Sequence, residues 1–137
     1  MKTFSINKDI SVFGVQAHSF PNGVNQAWEN LHKLLPGVNR RTLYGVSHGT
    51  RHGEIVYYAC VEEAFPGEAA QVGGEAIVLP KGEYIGDVVQ DFTTQPQKIG
   101  ETFQTILRRD DYDTDACCVE WYKNEGEVVC MIKSKQD

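Results

Sequence analysis

The chain repeats itself, and no other feature restricts its possible folds as much. Gly53-Glu-Ile-Val-Tyr-Tyr58 returns as Gly126-Glu-Val-Val-Cys-Met131, 73 residues later. Val24, Trp28 and Leu31 return as Ile99, Phe103 and Ile106, 75 residues later. The elements around these matches recur in the same order. Ile10 to Phe20 is apolar and β-branched or aromatic around Gly14, which reads as a strand with a bulge or bend. Pro21-Asn22-Gly23 is turn chemistry, and Val24, Trp28, Leu31 and Leu35 then follow the period of an amphipathic helix that Pro36-Gly37 stops. Arg41 to Ser47 and Glu54 to Val61 read as a hairpin around the turn from His48 to Gly53.

The second half follows suit. Ala76 to Leu79 reads as a short strand closed by Pro80-Lys81-Gly82, and Glu83 to Phe92 as another. Thr94-Gln95-Pro96-Gln97 fits a capping box with proline in the first turn, and Ile99, Phe103, Ile106 and Leu107 share a face of the helix that follows. Ala116 to Tyr122 and Glu127 to Ile132 close the chain as a hairpin. The expected fold is α+β, in one domain over 1–137. Two tandem strand–helix–strand–strand repeats, about 4–62 and 74–133, form one curved antiparallel sheet with two helices. One helix on three strands leaves an apolar edge, so two such units are expected to join, with a crevice at the seam.

Charge narrows the partners. Thirteen basic and nineteen acidic residues leave a net charge of −6, the wrong sign for a surface that neutralises phosphates. Direct nucleic-acid binding is not expected. No window of the sequence approaches the roughly 20 apolar residues of a membrane span, and the first residues do not read as a signal peptide. Cys60 and Cys130 sit in apolar runs, and the adjacent Cys117 and Cys118 are poorly placed to bridge each other. These thiols suit a reducing compartment, and the expected location is the cytoplasm.

Glu120 is the side chain that stands out. It lies in Ala116-Cys-Cys-Val-Glu-Trp-Tyr122, a strand otherwise apolar and aromatic, and alternation puts it on one face with Cys118 and Tyr122. A carboxylate there faces water, pairs with a cation, or takes up a proton. Fourteen aromatic residues, six of them tyrosines, accompany it. Rings around one carboxylate form the arrangement that attracts organic cations. The alternative is the solvent face of an edge strand, with the rings as ordinary core. His48, His52, Cys117 and Cys118 lack the paired spacing of a zinc site, and Gly73-Gly74 lacks the tail of a phosphate loop. Neither metal nor cofactor is expected.

The order Phe20-Pro21, Trp28-Glu-Asn-Leu31, Tyr44-Gly-Val-Ser47, Tyr57-Tyr-Ala59, Leu79-Pro-Lys-Gly-Glu-Tyr84 and Val119-Glu-Trp-Tyr122 resembles the gyrase-inhibitor-like effector-binding domain. That domain occurs alone and as the sensor half of AraC-type and MerR-type transcription regulators. The resemblance runs from about Phe4 to Ile132 and implies the duplicated sheet found above. It also implies binding of lipophilic, often cationic, drug-like molecules between the repeats. Glu120 matches the family's counter-charge and Tyr84 its tyrosine after Pro-Xaa-Gly-Xaa, while Trp28, Tyr44, Tyr58 and Tyr122 are the further candidates for the lining. No helix-turn-helix is read in the chain, so a stand-alone sensor rather than a promoter-binding protein is expected; binding without catalysis is the default reading. Two rival readings stand beside it. One is hydrolysis of strained electrophilic drugs by Glu120. The other is a module that docks on gyrase or a regulator protein, for which Asp110, Asp111, Asp113 and Asp115 supply an acidic stretch. Edge strands leave a homo-oligomer open.

Overall fold

The computed structural model describes residues 1–135. In chain order the elements are β1 (Lys2–Ile6), β2 (Ile10–Gln16), α1 (Val24–Leu34), β3 (Leu43–Gly49), β4 (Ile55–Glu62), α2 (Glu68–Val72), β5 (Glu75–Leu79), β6 (Gly82–Gln90), α3 (Gln97–Leu107), β7 (Cys118–Tyr122) and β8 (Glu127–Lys133). A single 3-10 turn, Val38–Arg40, follows α1. Strand–helix–strand–strand occurs twice, as β2-α1-β3-β4 and β6-α3-β7-β8. All eight strands form one antiparallel sheet in the order β1-β6-β8-β7-β3-β4-β2-β5.

That order reads the same when the two halves are exchanged. The seam is the β3–β7 ladder, where Leu43 to Ser47 pair with Tyr122 back to Cys118. Each half also receives an edge strand from outside its own repeat: β5 lies on β2, and β1 lies on β6.

The connections force the sheet to curl. Strands β1 and β2 stand six strand spacings apart, about 29 Å if the sheet were flat. Only Asn7, Lys8 and Asp9 join them, a reach of about 14 Å at most. Pro80 and Lys81 join β5 to β6 across the same six spacings. The sheet therefore bends into a half-barrel whose ends approach each other. The two linkers meet where the Lys81 N–H donates to Asp9 Oδ1 at 2.8 Å.

Curling gives the two faces different cores. The concave face holds one continuous cluster drawn from both halves, with Val12, Tyr44, Leu79, Tyr84 and Met131 among its buried members. On the convex face the clusters are separate. Phe13, Leu31 and Val61 pack under α1, and Phe103, Ile106 and Val128 under α3. Leu31 is fully buried, and a leucine so placed contributes roughly 1.5–3 kcal/mol. Helix α1 ends at Leu34, and Gly37 just beyond adopts φ +84°, a left-handed conformation that favours glycine.

Four local features differ from the sequence reading. Strand β2 stops at Gln16 and runs without a bulge, in unbroken register through Gly14. Gly14 is instead a point of close approach, because a Cβ there would collide with the Ala59 carbonyl. The expected capping box does not form: α3 begins at Gln97 without a side-chain cap, and the Thr94 hydroxyl donates to the Asp91 carbonyl at 3.0 Å. Strand β1 and helix α2 had no counterpart in the repeat pattern. The Arg41 guanidinium docks α2 by a two-point bond to Glu68, at 2.7 and 2.8 Å.

Candidate functional site

The helices cover the sheet unevenly. Helix α1 packs on β2 and β4, and α3 on β6 and β8. Their footprints are centred four strand spacings apart, about 19 Å, roughly twice the 8–10 Å of helices in contact. The seam strands β3 and β7 are left as the floor of a cleft of about 1490 Å³.

Glu120 stands on that floor at the seam and is 8% exposed. The side chain facing it on β3 is missing, because its register partner is Gly45. A Cβ at Gly45 would collide with both Glu120 Oε1 and the Tyr57 hydroxyl. The vacant space lets Tyr57, on β4, reach across β3, and its phenol donates to Glu120 Oε1 at 2.8 Å. Tyr122, two residues along the strand from Glu120, donates to the same oxygen at 2.6 Å. Among the described residues no sealed side-chain polar atom lacks a partner. Oε2, which accepts no bond from the protein, therefore opens toward the cleft.

Aromatic rings surround the carboxylate. The Trp28 ring from α1 stands edge-on to Tyr122, with centroids 5.6 Å apart and planes at 86°. The Phe92 ring also meets Tyr122, with centroids 5.4 Å apart, and Phe20 lies 5.9 Å from Tyr57. Ile99, Phe103 and Leu107 of α3 extend the apolar wall. On the rim, Arg41 is held by Glu68, and Arg40 and Lys123 also border the cleft.

Burial pushes the Glu120 carboxyl above the ordinary carboxylate range, and the two phenol donors only partly offset this. The same burial, with the adjacent carboxylate, raises both phenols, so they remain protonated donors. The Cys118 thiol beside them is pushed up to about 11, chiefly by burial. This is a thiol rather than a nucleophilic thiolate at neutral pH.

Of the six residues singled out in the sequence, Glu120, Trp28 and Tyr122 come together in this cleft. Tyr84, Tyr58 and Tyr44 do not join them, because strand alternation turns all three to the concave face. Tyr84 is 1% exposed and donates to the Pro80 carbonyl at 2.7 Å, as a core tyrosine. Sequence reasoning missed Tyr57, Gly45, Phe20 and Phe92. The available signal was parity: residues 45, 57 and 120 share a face once the β4–β3–β7 register is set.

No protein-family model and no curated protein matches the sequence. Solved structures do match. SAV2435 bound to tetraphenylphosphonium superposes with a TM-score of 0.72 at 13% identity, over 98% of this chain and 93% of that one. The likeness is one of fold. An integron cassette protein from Vibrio cholerae follows at a TM-score of 0.70 and 14% identity, covering 98% and 95%. A Staphylococcus aureus MU50 protein, provisionally described as a transcription regulation protein, gives 0.61 at 12%, covering 98% and 97%. These neighbours fit the gyrase-inhibitor-like fold that the sequence resembles. Among the described residues, no helix is long and apolar enough to cross a membrane.

Proposed function

We propose that the cleft binds lipophilic organic cations, with the Glu120 carboxylate as counter-charge and Trp28, Phe20, Phe92, Tyr57 and Tyr122 as its ring wall. The observation that carries this reading is a carboxylate buried to 8% exposure, fixed through Oε1 by two phenols, with Oε2 open to an aromatic cleft. Such a group is stabilised by an incoming positive charge more than by water it largely lacks.

The magnitudes suit a sensor or sequestering protein. Burying about 300 Å² of apolar ligand surface contributes roughly 7 kcal/mol, and each cation–π contact about 0.5–2 kcal/mol. Association costs at least about 4 kcal/mol, which leaves affinity of the order of micromolar. SAV2435, of the same fold, is named with a lipophilic cation bound, and the Staphylococcus aureus neighbour with transcription regulation. Both support an effector-binding role in the gyrase-inhibitor-like manner, in which the chain reports or sequesters its ligand without touching nucleic acid itself.

Tetraphenylphosphonium and tetraphenylborate have one shape and opposite charge, so calorimetric titration of each isolates the electrostatic part. The phosphonium is expected to bind at least about tenfold more tightly, a difference of about 1.4 kcal/mol. Equal binding of the two ions would remove Glu120 as the counter-charge.

A further inference from the structure

We infer that the concave face carries a second small-molecule site, built on Tyr44 and Trp121, which takes a neutral, largely apolar molecule bearing one hydrogen-bond acceptor, such as an aromatic ketone. The half-barrel leaves a cavity of about 440 Å³ where its two ends approach, walled by Phe4, Ile6, Ile10, Tyr44, Trp121 and Met131. That volume lies within the range of small-molecule sites and holds a bicyclic aromatic.

The polar groups give the cavity its chemistry. Tyr44, Tyr57 and Tyr84 are 5%, 2% and 1% exposed. Tyr57 and Tyr84 each donate to an acceptor in the protein. Tyr44 has no such acceptor among the described residues, yet no sealed polar atom there lacks a partner. Its hydroxyl therefore opens into the cavity it lines. Trp121 is the cross-strand partner of Tyr44, and its indole N–H also has no acceptor among the described residues. Both donors are accessible and lack a protein partner among the described residues, so an acceptor on a guest can engage them in place of water.

Asp9, Glu62 and Glu63 on the rim outnumber Lys8, and this rim charge disfavours an anionic guest. The apolar wall holds no buried carboxylate like Glu120, which removes the main attraction for a cation. Trp121 stands between Glu120 and Tyr122 on the opposite face of the same strand, and Glu62 and Glu63 border both the cavity and the Glu120 cleft.

The two tryptophans divide between the sites, Trp28 in the cleft and Trp121 in the cavity. Protein labelled with 5-fluorotryptophan thus gives one fluorine resonance for each, assigned with Trp28→Phe and Trp121→Phe. Titration with 2-acetonaphthone is expected to shift the Trp121 resonance saturably and leave that of Trp28 in place. Tyr44→Phe is expected to weaken the ketone about fivefold, the loss of one hydrogen bond. It should leave 2-ethylnaphthalene, which lacks the acceptor, bound as in wild type. Glu120→Gln should leave the ketone unaffected. The inference is overturned if the ketone moves only the Trp28 resonance or neither. It is also overturned if Tyr44→Phe binds the ketone as wild type does, or loses 2-ethylnaphthalene as well.

Discussion

Glu120 is a group the fold holds at a cost, and the sign of that cost can be read from pH. Its carboxyl is raised in the folded protein, so its contribution to stability is complete below the ordinary carboxylate pKa and is lost as pH rises through the folded value. Glu120→Gln keeps an oxygen for both phenols and removes the charge. Its stability over wild type is therefore expected to appear above the ordinary carboxylate range and grow by about 1.4 kcal/mol per pH unit until Glu120 is ionised. Urea denaturation of both proteins between pH 4 and pH 9 checks this; a gap that shrinks with rising pH would contradict it. The same substitution should abolish preference for a cation. Gly45→Ala tests the geometry separately, because the added methyl meets Glu120 Oε1 and the Tyr57 hydroxyl together. It is expected to weaken tetraphenylphosphonium binding about tenfold or more in calorimetry, since the carboxyl must leave its two donors. Unchanged affinity would show that the pocket at Gly45 does not position the carboxylate.

At the scale of elements, α2 illustrates a buried charge that the fold keeps ionised. Glu68 is 3% exposed, and the Arg41 guanidinium holds its carboxyl below the ordinary range. Its contribution is present above the unfolded pKa and is lost as pH falls through the folded one. Arg41→Met is expected to lower the melting temperature near neutral pH by several degrees, and the gap should close below the ordinary carboxylate range. A gap that persists in acid would mean that Arg41 acts through packing alone. Element order was legible in the sequence because apolar periodicity and turn residues are local signals: α1, α3 and both hairpins lie within a few residues of their expected places. Strand β1 escaped because Lys2–Ile6 pairs with β6, about 80 residues away, and its own alternation is weak. Pairing across such distances leaves no mark in a window of ten residues. For the same reason the sequence exposed Glu120 but not Tyr57, whose meeting depends on the registers of three strands.

At the scale of the whole molecule, the cleft belongs to neither half alone. Gly45, Tyr57 and Trp28 come from the first repeat, while Glu120, Tyr122 and Phe92 come from the second. A ligand there bridges the seam and stabilises both halves together. Tetraphenylphosphonium at one hundred times its dissociation constant should add about 2.7 kcal/mol, several degrees of melting temperature, in a single transition. Separate transitions for the two halves would contradict a shared site. The duplication predicted this seam, and the short linkers Asn7–Asp9 and Pro80–Lys81 explain why the sheet must curl around it. The most direct test of the account follows the carboxyl carbon of Glu120 by carbon-13 NMR, assigned by comparison with Glu120→Gln, as pH is varied with and without tetraphenylphosphonium. A midpoint above the ordinary carboxylate range is expected in the free protein, with a shift to lower pH when the cation is bound. A midpoint that the cation leaves unmoved would contradict this expectation.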